Sequence, residues 1–412
     1  MRFPLRRHLY HRFIFLLLPG ILCLVQMSQA RSPDSLSDLS LEELMEIEVT
    51  LATRRPQKLA RSAAAITVVT RDELHRAGVR TLPDALRLVP GVQVAQIDGG
   101  KWIVTARGFA GLFANKLLVL IDGRSIYSPL FSGVFWESQD VLMDDLDRIE
   151  VIRGPGGTLW GANAVNGIIN IVTRHAAEST GSFVEVGGGG ERQFVGLRHG
   201  VAFDKGHVRA YAKHFDRARS AASTTAPVRD DWRMTRAGFR ADMKLNRRDE
   251  LTVTGNAFGG TTGESLTFVS EPPPAPYGRV YFDAEVAGAD IGARAQRRWH
   301  AESTTEVRLF YDIYDRSMEV LDGRVHNADF QMQHQGLIGG HRLVTGAAYR
   351  RTWDDVAGSY AAWFTPQRRT THLFSGFVHD EIDLVSDRLR LSMGAKLEHN
   401  SFTGFEWQPN IR

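Results

Sequence analysis

The residues best spaced for chemistry lie between Ile149 and Thr173, in IEVIRGPGGTLWGANAVNGIINIVT. Glycines this dense let a backbone approach another group closely, as in loops that cradle phosphate. The details fail that reading. A Walker-type loop needs a Lys-Ser/Thr pair after its last glycine, and none is present. A dinucleotide fingerprint beginning at Gly154 needs glycine at position 159, which is Leu159. Asp144, Asp145 and Asp147 invite a metal, but their spacing fits the acidic start of a capped turn better. Fourteen histidines are available without a His-Glu-x-x-His or Gly-x-Ser-x-Gly arrangement. No catalytic residue, metal or cofactor is assigned, and an enzyme is not expected.

The elements around this stretch form a small α+β domain, residues 56–175. Ile149 to Ile152 and Ile168 to Val172 are runs of β-branched strand formers. Ala64 to Thr70 is a further strand, after which Thr70 and Glu73 make a capping box. Thr81 caps a second helix with Pro83 in its first turn, and Pro90-Gly91 ends it. Strands follow at Val92 to Ile97, Ile103 to Ala106 and Leu117 to Ile121, the last closed by an Asp122-Gly123 turn.

The first thirty residues read as a secretory signal: Arg2, Arg6, Arg7 and Arg12, an apolar run from Phe13 to Val25, then Ser28-Gln29-Ala30 for cleavage. The net charge of +3 rests on these arginines. Without them it falls to about −1, which gives no reason to expect a nucleic-acid partner. The single cysteine, Cys23, lies inside the same leader, so the remaining chain has no thiol chemistry.

From about Gly181 the texture changes to alternation with a period of two. Ala237, Phe239, Ala241, Met243 and Leu245 share one face, with Arg236, Arg240, Asp242 and Lys244 on the other. Val307, Leu309, Tyr311 and Ile313 alternate in the same way with Glu306, Arg308, Asp312 and Tyr314. Leu389, Leu391, Met393, Ala395 and Leu397 do so with Arg388, Arg390, Lys396 and Glu398. Apolar-out and charged-in strands of about ten residues are the pattern of an antiparallel transmembrane β-barrel, here over 176–412. Ser265 to Gly278 is too rich in proline for a strand and reads as a long outer loop.

The whole region from about Leu39 to Thr173 resembles the plug domain of TonB-dependent outer-membrane receptors. The resemblance is carried by TLPDALRLVPGVQV (Thr81 to Val94), by RGF (Arg107 to Phe109), by NKLLVLIDGRSIYSPLFSGVFW (Asn115 to Trp136) and by the glycine-rich stretch. It implies a Gram-negative outer-membrane receptor in which a plug sits inside a barrel and a scarce ligand is imported with energy from TonB and its inner-membrane complex. A ferric siderophore or other metal chelate is the first expectation, with cobalamin, haem and saccharides as alternatives, and outer-membrane lipid as the surroundings.

Residues 31–55 then form an N-terminal extension. Glu48, Val49, Thr50, Leu51, Ala52 and Thr53 occupy the position of the TonB box, where an extended peptide is gripped by strand addition. Arg107 and Arg153 match arginines that lock a plug to acidic groups on the barrel wall. The ligand-facing loops would bring Asp98, Lys101, Trp102, Phe109, Phe113, Asn115, Tyr127, Phe131, Phe135 and Trp136 together, the rings offering a stacking surface. About eleven strand-like segments follow Gly181. Plug-holding transporters have about 22 strands, so the expected architecture is a plug with roughly half a barrel.

Overall fold

The computed structural model describes residues 48–49, 51, 57–59, 62, 64–111, 113–154, 156–161, 163–189, 192–220, 228–269, 277–359, 362–386 and 388–412. Of Glu48, Thr158 and residues 266–269 and 277–280 only the backbone is described. The expected leader, the stretch up to residue 47, and Thr50, Ala52 and Thr53 lie outside the described residues.

The α+β domain is built on a five-stranded sheet in the order Ile66–Thr70, Leu146–Arg153, Gly167–Thr173, Leu117–Ile121, Arg124–Ser125. Leu117–Ile121 runs parallel to Gly167–Thr173, and the other pairings are antiparallel. The two β-branched runs flanking the glycines are therefore adjacent central strands. Their Ile149, Val151, Ile169 and Ile171 are fully buried. Asp122 and Gly123 both take positive φ, the geometry that a two-residue hairpin turn requires. Thr70 and Glu73 form the capping box at the helix Arg71–Arg76, and Thr81 caps Leu82–Leu86 by accepting from the Asp84 N–H. Val92–Gln96 pairs with Trp102–Ala106 as a separate hairpin.

The second domain is a twelve-stranded antiparallel sheet from Gly181–Gly188 to Gly404–Ile411, each strand paired with the next. These two strands are its edges and do not pair with one another. The sheet thus has twelve strands where the alternation suggested eleven, and it reaches 24 residues in Tyr277–His300. The proline-rich segment is also shorter than expected. Strand Asp249–Val269 continues through Ser265, and Tyr277–His300 pairs with it from Tyr277 onward, so the prolines all fall within 270–276. Pairing of these two strands with each other satisfies one edge of each backbone up to that point.

Burial in this sheet is reversed from that of a water-soluble protein. Arg236, Arg240, Asp242, Lys396 and Glu398 are buried on the inner face, while Phe239, Leu309, Phe330, Met393 and Leu397 are exposed on the outer one. Two-residue turns at Asp204-Lys205, Ala301-Glu302 and Gly339-Gly340 mark one end. Longer connections after Arg217, Val269 and Gly358 mark the other, the outer end of such a barrel.

Phe330 tests this polarity, since it is 40% exposed on the outer face. Phe330→Arg is expected to destabilise the barrel by about 2–4 kcal/mol near the bilayer midplane, read by denaturant titration in lipid vesicles. A change within error would place this face in water.

Candidate functional site

The plug meets the wall through charge. The Asp144 and Asp145 carboxylates lie 2.7 and 2.6 Å from the Arg198 guanidinium of the wall. Arg209 reaches Asp145 at 3.4 Å, and Lys213 holds Asp140 at 2.9 Å. Arg316 bonds Glu137 of the plug at 2.6 Å and also Glu264 of the wall. Arg316, Glu137 and Glu264 are all nearly excluded from solvent. In the opposite sense, plug Arg124 lies 3.2 Å from Asp290 and 3.8 Å from Asp312 of the wall.

The expected lock residues are not part of these contacts. Among the described residues, neither Arg107 nor Arg153 forms an ion pair. Arg107 has positive φ, is exposed, and donates to the Arg153 carbonyl at 3.3 Å. Arg153 lies along Gly91, so both are spent inside the plug. The lock is mostly of the other polarity, plug acids on wall cations. The acidic trio is likewise no side-chain cap: the 3-10 turn Met143–Asp145 has no capping hydrogen bond, and two of its carboxylates anchor the wall.

The proposed ligand residues separate into two groups. The Asp98 carboxylate accepts from the Gly100 and Lys101 amides at 3.1 and 2.8 Å, folding its own loop. Lys101 sits 3.3 Å from both Asp98 and Glu264. Trp102 is buried edge-on against Trp232 of the wall, 5.3 Å between ring centres. Trp136 is buried in the core. Tyr127 donates to the Leu117 carbonyl at 2.5 Å, and burial pushes its hydroxyl pKa well above the ordinary value. These side chains bind plug to plug or plug to wall. Trp102 and Trp136 are covered in this arrangement, whereas Tyr127 is half-buried and lines a small cavity with Phe135 and Tyr314.

The second group remains accessible. Phe109 and Phe113 are 71% and 64% exposed. Phe113 packs edge-on to Phe131, Phe131 edge-on to Phe135, and Phe135 stacks on Tyr314 of the wall at 5.3 Å. The rings thus form a continuous path from an exposed surface to a wall contact. Arg316 caps it from over the Phe135 ring at 4.7 Å. Asn115 is half-buried. Sequence reasoning missed Tyr314 and Arg316, since strand alternation does not say which inward residue meets which plug loop.

At the N-terminal segment, Glu48–Val49 pairs antiparallel with Gln57–Lys58. Val49 and Leu51 are fully buried. The Leu51 amide donates to Glu150 at 3.2 Å, and its carbonyl accepts from the Trp160 indole at 2.9 Å. Arg148 lies 2.8 Å from the same Glu150. Arg148 and Trp160 also line a polar cavity of about 210 Å³ between plug and wall, with Arg240, Glu306 and Arg308 opposite. Leu51 is therefore in place against the plug strand Leu146–Arg153, with its main chain used for bonding.

Comparison with known proteins places both domains. Residues 58–168 match the TonB-dependent receptor plug domain, and residues 174–411 the TonB-dependent receptor-like β-barrel. The vitamin B12 transporter BtuB of Vibrio vulnificus is 33% identical over 169 residues, 41% of this chain and 27% of its own. The iron-regulated outer membrane virulence protein of Vibrio cholerae is 24% identical over 401 residues, covering 89% of this chain and 56% of its own. Even in this longer alignment the chain spans only about half of the relative's length. Two solved structures share the fold: Pseudomonas aeruginosa FpvA bound to pyoverdines (TM-score 0.67, 17% identity, 88% of this chain and 56% of FpvA) and the P. aeruginosa siderophore receptor PirA (0.64, 17%, 85% and 59%).

Two outcomes test the plug–wall contact. Burial alone raises the Asp144 pKa, but hydrogen bonds from Arg71 and Arg198 outweigh it and hold the carboxyl below its ordinary value. Its contribution is complete above the unfolded carboxylate pKa, about 3.9, and is lost as pH falls through the depressed value. Amide-exchange protection in Met143–Arg153, relative to the intrinsic rate at each pH, should fall on acidification below about pH 4, and Asp144→Asn should remove that acid step. Arg316→Met leaves Glu137 without its cation, while Glu264 keeps Lys101, and should loosen the plug by about 3–5 kcal/mol. In a protease-protection assay Arg107→Ala should have little effect, and equal effects of the two variants would reject the reversed polarity.

Proposed function

As the chain belongs to the TonB-dependent receptors of the outer membrane, we propose that it takes part in energy-coupled import of a ferric siderophore. The observation that carries this reading is the aromatic run Phe113–Phe131–Phe135–Tyr314, which offers stacking surface to an aromatic chelator and ends on the wall. Siderophore receptors among the proteins of the same fold support it. Phe109 and Phe113 are the first contacts, and Lys101 and Asp98 hold the neighbouring loop in shape. TonB engages Glu48 to Thr53. Gripping that segment requires Leu51 to leave its cover and give up its bonds to Glu150 and Trp160. Strand addition supplies replacement main-chain bonds on the partner.

A second ligand, cobalamin, is favoured by one specific observation. The vitamin B12 transporters are among the curated relatives, at 33% identity for that of Vibrio vulnificus. Radiolabelled uptake of a panel of ferric siderophores and of vitamin B12, with and without collapse of the proton-motive force, separates the readings. Import of a siderophore that stops on collapse is expected. Uptake of vitamin B12 alone would replace the siderophore, and uptake unaffected by collapse would reject energy coupling.

Leu51→Pro removes the amide that Glu150 accepts and a ladder donor for the partner. Uptake should fall to background while surface binding of the ligand is retained. Normal uptake by this variant would remove Glu48 to Thr53 from the coupling role.

A further inference from the structure

The outward rows of the wall sheet treat their arginines in a consistent way. Arg233 lies directly across from Asp216, Arg297 from Asp249, Arg324 from Asp315 and Arg368 from Asp355. Each bonds its opposite carboxylate, at 2.9, 2.7, 2.5 and 2.9 Å respectively. A cation on a surface that faces lipid is thereby neutralised across one ladder rung.

Arg351 departs from this rule. It shares the outward row of His341–Gly358 with Tyr349 and Trp353, and its direct partner is His372. Among the described residues no carboxylate pairs with it, and it is exposed. Its guanidinium lies 5.3 Å from the Trp353 ring centre. His326 stacks on the same indole, 5.0 Å away and 4° from parallel. His326 and His372 each use Nδ1 on a tyrosine hydroxyl, Tyr311 at 2.8 Å and Tyr349 at 2.9 Å. The rings are held rigidly, and Nε2 of each is left for another partner.

The depth of the cluster identifies that partner. Below it, toward the two-residue turns, the outer face is apolar at Phe330 and Met332. A second polar belt then begins where Thr305 bonds His334 and Trp299. His326 and His334 are roughly 26 Å apart along their strand, about the height of an apolar band between its two interfacial girdles. The Arg351 cluster therefore stands at head-group level on the outer side. An unneutralised arginine flanked by two histidine rings suits an oxyanion bonded in bidentate fashion.

We propose that Arg351, flanked by His326 and His372, binds a phosphate of a phosphorylated glycolipid in the outer leaflet, with the acyl chains lying over Phe330, Met332 and Phe374. The site is independent of the imported ligand, since it is on the lipid side of the wall.

The test is native mass spectrometry of the protein extracted from outer membranes in mild detergent, with bound glycolipid quantified. The wild type should retain it, and Arg351→Ala should reduce occupancy about tenfold, the scale of one charge-assisted bidentate contact. Arg368→Ala, which removes an arginine already paired with Asp355, should not. His372→Asp supplies the carboxylate found opposite the other arginines and should abolish retention while heat-modifiable migration is unchanged. This second variant decides the matter if the alanine protein fails to fold. Re-addition of phosphorylated glycolipid should restore binding, and the dephosphorylated form should not. Equal loss in the Arg351 and Arg368 variants, or retention in His372→Asp, would overturn the proposal. Competition by inorganic phosphate at the same concentration would make this a site for free anion and overturn the lipid assignment.

Discussion

The arginines on the inner face of the wall and the carboxylates at the edge of the plug are each too costly to bury alone, and each makes the other tolerable. Arg198, Arg209, Lys213 and Arg316 project inward because the alternate positions of the same strands must be apolar for lipid. Asp140, Asp144, Asp145 and Glu137 stand where the plug passes closest to those rows. The polarity of the membrane thus dictates the chemistry of the interface between the two domains. Without the plug, Arg198, Arg209 and Lys213 of the wall would lose their carboxylates, and without the wall Asp140 and Asp145 of the plug would lose their cations.

An interface made this way differs from an apolar core in how it comes apart. Apolar contacts such as Trp102 on Trp232 are lost as a block of area. An ion pair next to water can exchange its partner for solvent, one group at a time, at a modest cost when hydrated and a larger one when dry. Both kinds are present here. Arg316 with Glu137 and Glu264 is dry, whereas Arg148, Arg240 and Arg308 border the polar cavity. The contacts around that cavity are the ones that solvent is positioned to replace.

Much of the fold was legible because it rests on local rules. The capping box at Thr70, the N-cap at Thr81, the Asp122-Gly123 turn and the strand Leu117–Ile121 depend on a few adjacent residues and appear where their chemistry demands. The alternation in Thr235 to Leu245 gave the inner and outer faces directly. The locking pairs were not legible, because Arg316 and Glu137 are 179 residues apart and only the closed structure brings them together. The same limit explains the aromatic set. Trp102 and Phe113 look alike in sequence, and only the position of Trp232 decides that the first is covered. What Arg107 and Arg153 face was not legible either, because the resemblance fixes their place in the plug and leaves open what stands opposite.

Glycine at position 161 shows how the glycine-rich stretch joins these themes. Its φ of +96° is strained for any side chain, and a Cβ there would lie 2.6 Å from the Glu398 carboxylate and 2.9 Å from the Lys396 ammonium. The plug backbone therefore approaches a buried ion pair of the wall as closely as a main chain can. Preceding it, the helix Gly157–Trp160 places Leu159 against Val344 and Phe377 of the wall and turns Trp160 back to the Leu51 carbonyl. One short turn thus touches the wall on one side and the N-terminal segment on the other. Glycines that first suggested a phosphate loop do a mechanical job: they remove side chains where three parts of the molecule must meet, and leave the Trp160 indole to join the segment at Leu51 to the wall.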